Sequence, residues 1–174
     1  DLVKAMYQSE FGCGHFVDEN GPGMAYLLKE LEQCADMPRE CAAEFIEPLN
    51  DEYVRVHVEH LAANGLAPRT LFRLFVLSAQ QPGGDMQVFR ERLDALENAV
   101  ENGMLAVDIE DARAFLAKYR ADGCPSTHHS ETFRAAYAPA YRVILRRYAA
   151  AIPLLCAIDR AVQAQEKVIV AVEG

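Results

Sequence analysis

Cysteine is scarce and unpaired in this sequence. Cys13, Cys34, Cys41, Cys124 and Cys156 make an odd number, and no two form a C-x-x-C pair. That spacing fits neither a zinc knuckle nor a disulfide framework, and free thiols in a reducing cytoplasm are the simplest reading. Long hydrophobic runs are missing too. The longest uncharged apolar stretch, Tyr148 to Ile158, is too short to span a bilayer, and Pro153 interrupts it. A basic start followed by an apolar run, the mark of a secretory leader, is not seen after Asp1. A cytoplasmic protein without a membrane partner is therefore expected. Positive charge is in short supply: 17 Lys and Arg stand against 26 Asp and Glu, a formal net charge of −9. Such a field repels phosphate backbones and argues against nucleic acid as a partner. Internal repeats and low-complexity tracts are absent, as are G-x-S-x-G, H-E-x-x-H and EF-hand signatures.

What is present belongs to an ordinary globular chain: 174 residues, 51% apolar and 25% charged. That length can bury a core of its own. Apolar spacing predicts a mostly α fold. Leu2, Val3, Met6 and Tyr7 begin a helix, and Met24, Leu27, Leu28 and Leu31 stripe a second that has ended by Pro38. Pro68 suits a first helical turn, and Leu71, Leu74, Phe75 and Ser78 continue its face until Gln81-Pro82-Gly83-Gly84. Val88, Phe89, Leu93, Leu96 and Val100 line the next helix, closed by Asn102-Gly103. Asp108 with Asp111 resembles a capping box for a helix carrying Ala112, Phe115, Leu116 and Tyr119, stopped by Gly123-Cys124-Pro125.

Two stretches read differently. Val54, Val56 and Val58 alternate with Arg55, His57 and Glu59, so a short β-hairpin over about 44–58 is favoured, turning at Asn50-Asp51. A helix through Val54, Val58 and Leu61 is its competitor. Phe133, Tyr137, Tyr141, Ile144, Leu145, Tyr148, Ile152 and Leu155 recur at helical spacing, which predicts a long helix broken or kinked at Pro139 and Pro153. The run Lys167-Val168-Ile169-Val170-Ala171-Val172 is β-branched and predicts a C-terminal strand that needs a sheet to join.

Val168-Ile169-Val170-Ala171-Val172-Glu173-Gly174 resembles the first strand of uridine-kinase-like P-loop kinases, followed by the acidic residue and leading glycine of G-x-x-x-x-G-K-S/T. The segments Tyr7 to His15, Arg73 to Ser78, His129 to Arg134 and Tyr137 to Val143 are similar to the helical region ahead of the P-loop in bacterial proteins of that group. The resemblance implies a helical domain over 1–165 and a truncated P-loop nucleotide-binding domain starting at 166–174. Gly174 would then approach the nucleotide. It also implies ATP and Mg²⁺ as cofactors where the full P-loop follows. The P-loop lysine and hydroxyl are not among these residues, so this chain by itself is not a competent kinase and holds no cofactor.

Candidate ligand residues cluster at two corners. In Phe11-Gly12-Cys13-Gly14-His15, glycines flank a thiol and an imidazole follows, which suits either a tight interhelical turn or a ligand loop around Cys13 and His15. His128, His129 and Ser130 open a helix after Pro125, with Arg134, Tyr137, Tyr141 and Arg142 beyond. They form either a cap with solvated arginines or a pocket for a small anionic or nucleoside-like ligand. His57, Glu59 and His60 do not match an established metal motif, and Arg142, Arg146 and Arg147 could meet phosphates, but such a run more often forms i to i+4 surface pairs in an acidic protein. No residue carries a complete catalytic signature. The expected function is a non-catalytic substrate-recognition or organising module of a P-loop phosphotransferase. The alternatives are a small enzyme using His15 and His129 as acid and base, or a protein-interaction module.

Overall fold

The computed structural model describes residues 1–12, 22–36, 44–81, 83–133, 140–165 and 167–171. The fold is mostly α with a small antiparallel sheet, and the chain divides into two compact units. Unit 1 comprises Asp1–Phe11 and Gly83–Ala138; unit 2 comprises Gly12–Pro82 and Pro139–Gly174.

Unit 1 holds α1 (Leu2–Phe11), α5 (Met86–Glu101) and α6 (Ile109–Ala121). Its core is Val3, Phe89, Leu93, Leu116, Tyr119 and Cys124. Aromatic edges build much of it: Phe89 meets Phe11 at 5.4 Å and Tyr119 at 6.4 Å between ring centroids. Both long helices carry their own N-caps. Asp85 accepts a hydrogen bond from the Gln87 N–H, and Asp108 from the N–H groups of Glu110 and Asp111. Gly84 precedes the first cap at φ 87°, where an added Cβ would lie 2.4 Å from the Glu10 carbonyl oxygen. Only glycine fits there without strain.

Unit 2 combines helices with the sheet. In chain order it contains α2 (Gly23–Asp36), β1 (Ile46–Pro48), β2 (Tyr53–His57), a 3₁₀ turn (Val58–His60), α3 (Leu61–Asn64) and α4 (Pro68–Ala79). After unit 1 it resumes with β3 (Tyr141–Leu145), α7 (Arg146–Ala149) and α8 (Ile152–Ala164). The expected hairpin forms as β1–β2, with Ile46 opposite Val56 and Pro48 opposite Val54. Asn50 makes its turn, its side-chain oxygen accepting from the N–H groups of Glu52 and Tyr53. Val54, Val56 and Ile144 join Leu27, Leu71, Phe72 and Val76 in the main buried cluster.

Two expectations are corrected. Residues 141–145 form a strand rather than part of a long helix, pairing with β2 from His57↔Tyr141 to Tyr53↔Leu145. Apolar residues at 141, 144 and 145 fit the helical period and those at 141, 143 and 145 the strand period, and the open edge of β2 decides in favour of the strand. At Pro153 the expected break occurs: α7 ends at Ala149 and Pro153 occupies the first turn of α8, where its missing N–H costs nothing; Pro139 lies outside the described residues. Residues 167–171 form no strand with any described residue, and Ile169 is 82% exposed. β-Propensity alone cannot order a strand without an edge to pair with. Val172 lies outside the described residues.

The ends of α4 show how non-local unit 2 is. Ala67 has no capping side chain, so Asp159 of α8 supplies one, accepting from the Ala67 N–H at 2.8 Å and the Thr70 hydroxyl at 3.0 Å. Buried Ser78 near the other end donates to the Leu74 carbonyl and accepts from the Leu145 N–H. It ties α4 to β3.

Candidate functional site

Of the candidate ligand residues, Cys13, His15, Arg134, Tyr137 and Gly174 lie outside the described residues. Those that remain fall into one group in each unit.

In unit 1, His129 and Ser130 meet on Asp1. The Ser130 N–H donates to the Asp1 carboxylate at 2.9 Å and its hydroxyl at 2.5 Å, while His129 Nδ1 lies 3.4 Å away. Ser130 also accepts from the Phe133 N–H at 3.1 Å, the geometry of an N-cap. The His129 ring stacks on Phe133 with centroids 4.3 Å apart. Carboxylate, hydroxyl and imidazole are therefore adjacent, but the carboxylate sits between the other two. The Ser130 hydroxyl donates to the Asp1 carboxylate, whereas nucleophilic catalysis by Ser130 would require an imidazole as its acceptor. His128 is exposed on the same corner.

In unit 2, Tyr141 and Arg142 occupy neighbouring positions of β3 and so face opposite sides of the sheet. On one side Glu47 bridges two residues of β2, its oxygens 2.9 Å from Arg55 Nη1 and 2.9 Å from His57 Nε2. Tyr141 completes this group: Arg55 lies over its ring at 5.2 Å, and the His57 ring meets it edge-on at 5.9 Å. On the other side Arg142 is nearly buried and contacts Glu30 of α2 at 2.6 Å, with its guanidinium 5.7 Å from the Phe75 ring centroid. Glu30 thus already engages the cation that an anionic ligand would need. Arg146 donates to the Asn50 carbonyl, and Arg147 lies over the Tyr148 ring. With 142 on a strand, the i to i+4 pairing expected of these arginines does not arise.

Sequence reasoning missed the partners more than the candidates. Glu47 lies directly opposite Arg55 once the hairpin turns at Asn50, so its role was readable from register. Glu30 and Asp1 had no local signal, because each meets its partner more than a hundred residues away along the chain. Among the described residues, no group of three His, Cys, Asp or Glu is placed to hold a metal ion. Cys124 and Cys156 are free thiols, and burial pushes the Cys156 thiol above its ordinary value. A thiol so placed is a poor nucleophile at neutral pH. Among the same residues, no helix is long and apolar enough to cross a membrane.

Comparison with models of known protein families, with curated protein sequences and with solved structures finds no match to this chain.

Proposed function

We propose that this chain is the non-catalytic helical region of a cytoplasmic, uridine-kinase-like P-loop phosphotransferase, and that Val168 to Gly174 open its nucleotide-binding domain. One observation carries the reading. Residues 167–171 are a β-branched run outside the three-stranded sheet, with Ile169 82% exposed and Val170 48% exposed. Such side chains lose favourable burial while they face water, about 1.5–3 kcal/mol for each large aliphatic. A parallel sheet covered on both faces is the setting in which a continuous Val-Ile-Val run is ordinarily buried. The strand-acid-glycine order of Val172-Glu173-Gly174 adds the P-loop chemistry, in which backbone N–H groups cradle phosphate and a following lysine neutralises it. On this reading ATP and Mg²⁺ belong to the P-loop domain, while the helical region recognises substrate or organises the enzyme.

The test begins with the reading frame that encodes Gly174. A lysine followed by Ser or Thr is expected within about seven residues, as the motif requires. Calorimetry then compares the full product with this chain alone. Mg²⁺-dependent ATP binding is expected only in the full product. A frame without that lysine, or equal ATP binding by the chain alone, overturns the proposal.

A further inference from the structure

Unit 1 carries an apolar groove of whose walls only Asp1 belongs to the groups discussed above for ligand binding. Its volume is about 340 Å³, and its walls come from α1, the end of α5, the 102–108 connection and α6. Leu2, Leu96, Leu105, Val107 and Phe115 supply most of the surface. The walls are also unusually open to water: Leu2, Val107 and Phe115 are each about half exposed, and neighbouring Met104 is 76% exposed. Single exposed apolar residues are ordinary, whereas several on one concave surface mark an interaction site. Phe115 is held in place by stacking on Tyr119, at 5.9 Å between centroids and 7° between planes. A fixed aromatic anchor loses little entropy on binding.

Charge narrows the occupant. Asp111 lines the groove, and Asp108 and exposed Glu110 stand at the same helix start. Arg113 on the same helix is already shared between Glu101 and Glu110. Unit 1 as a whole has twelve Asp and Glu against seven Lys and Arg. An apolar floor with an acidic rim complements a helix that is apolar on one face and basic on its flanks, and repels an acidic one.

We propose that this groove docks a basic amphipathic helix of a partner protein, with Phe115, Val107 and Leu105 receiving its apolar face and Asp111 and Asp108 its lysines or arginines. Binding at this groove does not depend on any nucleotide chemistry at the C-terminus.

The probe is a synthetic helical peptide with leucine at i, i+3, i+4 and i+7 and lysine elsewhere, paired with a counterpart carrying glutamate for lysine. Fluorescence anisotropy at two salt concentrations reads binding to the whole chain. The lysine peptide should bind and the glutamate peptide should not. Phe115→Glu should weaken binding about tenfold or more, the scale of losing a buried aromatic anchor. Asp111→Lys should weaken it several-fold and flatten the salt dependence. The sign of the first effect is diagnostic, because Phe115→Glu adds negative charge and would strengthen any unspecific attraction. Val107→Glu, in the exposed connection, repeats the test should Phe115→Glu disturb folding. Failure to bind, tighter binding by Phe115→Glu and Val107→Glu, or equal binding of the two peptides overturns the proposal. So does a concentration-dependent dimer of the unmodified chain that Phe115→Glu abolishes, which would make a second copy the occupant.

Discussion

Unit 1 and unit 2 reach stability by different routes. In unit 1 the long helices α5 and α6 carry their own caps and are cross-linked by ion pairs such as Arg120 with Asp94 and Glu97, over an aromatic core. Unit 2 borrows nearly everything across sequence: α4 is capped by Asp159, β3 joins a hairpin that precedes it by some ninety residues, and Arg142 finds Glu30. Local caps make a helix legible and independent, while borrowed ones make an element conditional on the rest of its unit. The sharpest way to break this comparison is to hollow each core in turn. Phe89→Ala should cost about 3–5 kcal/mol and Ile144→Ala about 2–5 kcal/mol, since both side chains are fully buried. Residue-resolved hydrogen exchange with chemical denaturation is the measurement. The first variant should deprotect α5 and α6 more than β2 and β3, and the second the reverse. Equal loosening of both units by each variant would show that they unfold as one.

A smaller change sharpens the contrast from the side of unit 2. Ser78 is a buried polar side chain serving two partners, the Leu74 carbonyl and the Leu145 N–H. Ser78→Ala removes the acceptor that the β3 amide uses, and an unsatisfied buried amide costs about 1–3 kcal/mol. The loss should fall on β3 protection first, because α4 keeps its own backbone ladder. A variant as stable as the unmodified protein would mean that the Leu145 amide finds another acceptor.

Legibility follows the same division. Asp108 with Asp111, Pro68, Asn102-Gly103 and the Asn50 turn announced helix and hairpin boundaries because each acts on its own neighbours within a few residues. Tyr141 to Leu145 was misread because five residues cannot distinguish a period of 2 from one of 3.6, and the deciding factor is β2, far upstream. The strand expected at 167–172 is not formed over 167–171 for the complementary reason: its composition is right, but no described edge receives it. At the candidate site, His129 and Ser130 were singled out as a helix-opening corner, and they form one. Asp1, which engages both, carried no signal, and neither did the groove beside Phe115. A groove depends on which side chains four separate segments leave uncovered, and sequence spacing within one helix does not contain that.

The smallest effect is nil at neutral pH and emerges only in alkali, and it tests whether the unit 1 core is as dry as its aromatic packing implies. Burial pushes the Tyr119 phenol well above its ordinary value of 10.0, with further upward pressure from Cys124 and Tyr7. Burial and Cys124 raise Tyr7 in the same direction. The Tyr119 hydroxyl also donates to the Pro125 carbonyl at 2.6 Å, a bond that the phenolate cannot make. A folded-state value raised above the unfolded one means that the unfolded chain releases its phenolic protons first. Stability is therefore fully retained below about pH 10 and falls as pH rises beyond it, toward the higher folded-state value. Phenolate absorbance read against pH should show at least two of the seven tyrosines lagging behind the others in the folded protein. In denaturant the lag should vanish. Tyr119→Phe should remove one lagging phenol and soften the alkaline loss of α5 and α6, at the expense of the Pro125 carbonyl's partner. Should all the phenols of the folded protein titrate together near the ordinary value, water reaches Tyr119 and unit 1 lacks the sealed aromatic core that sets it apart from unit 2.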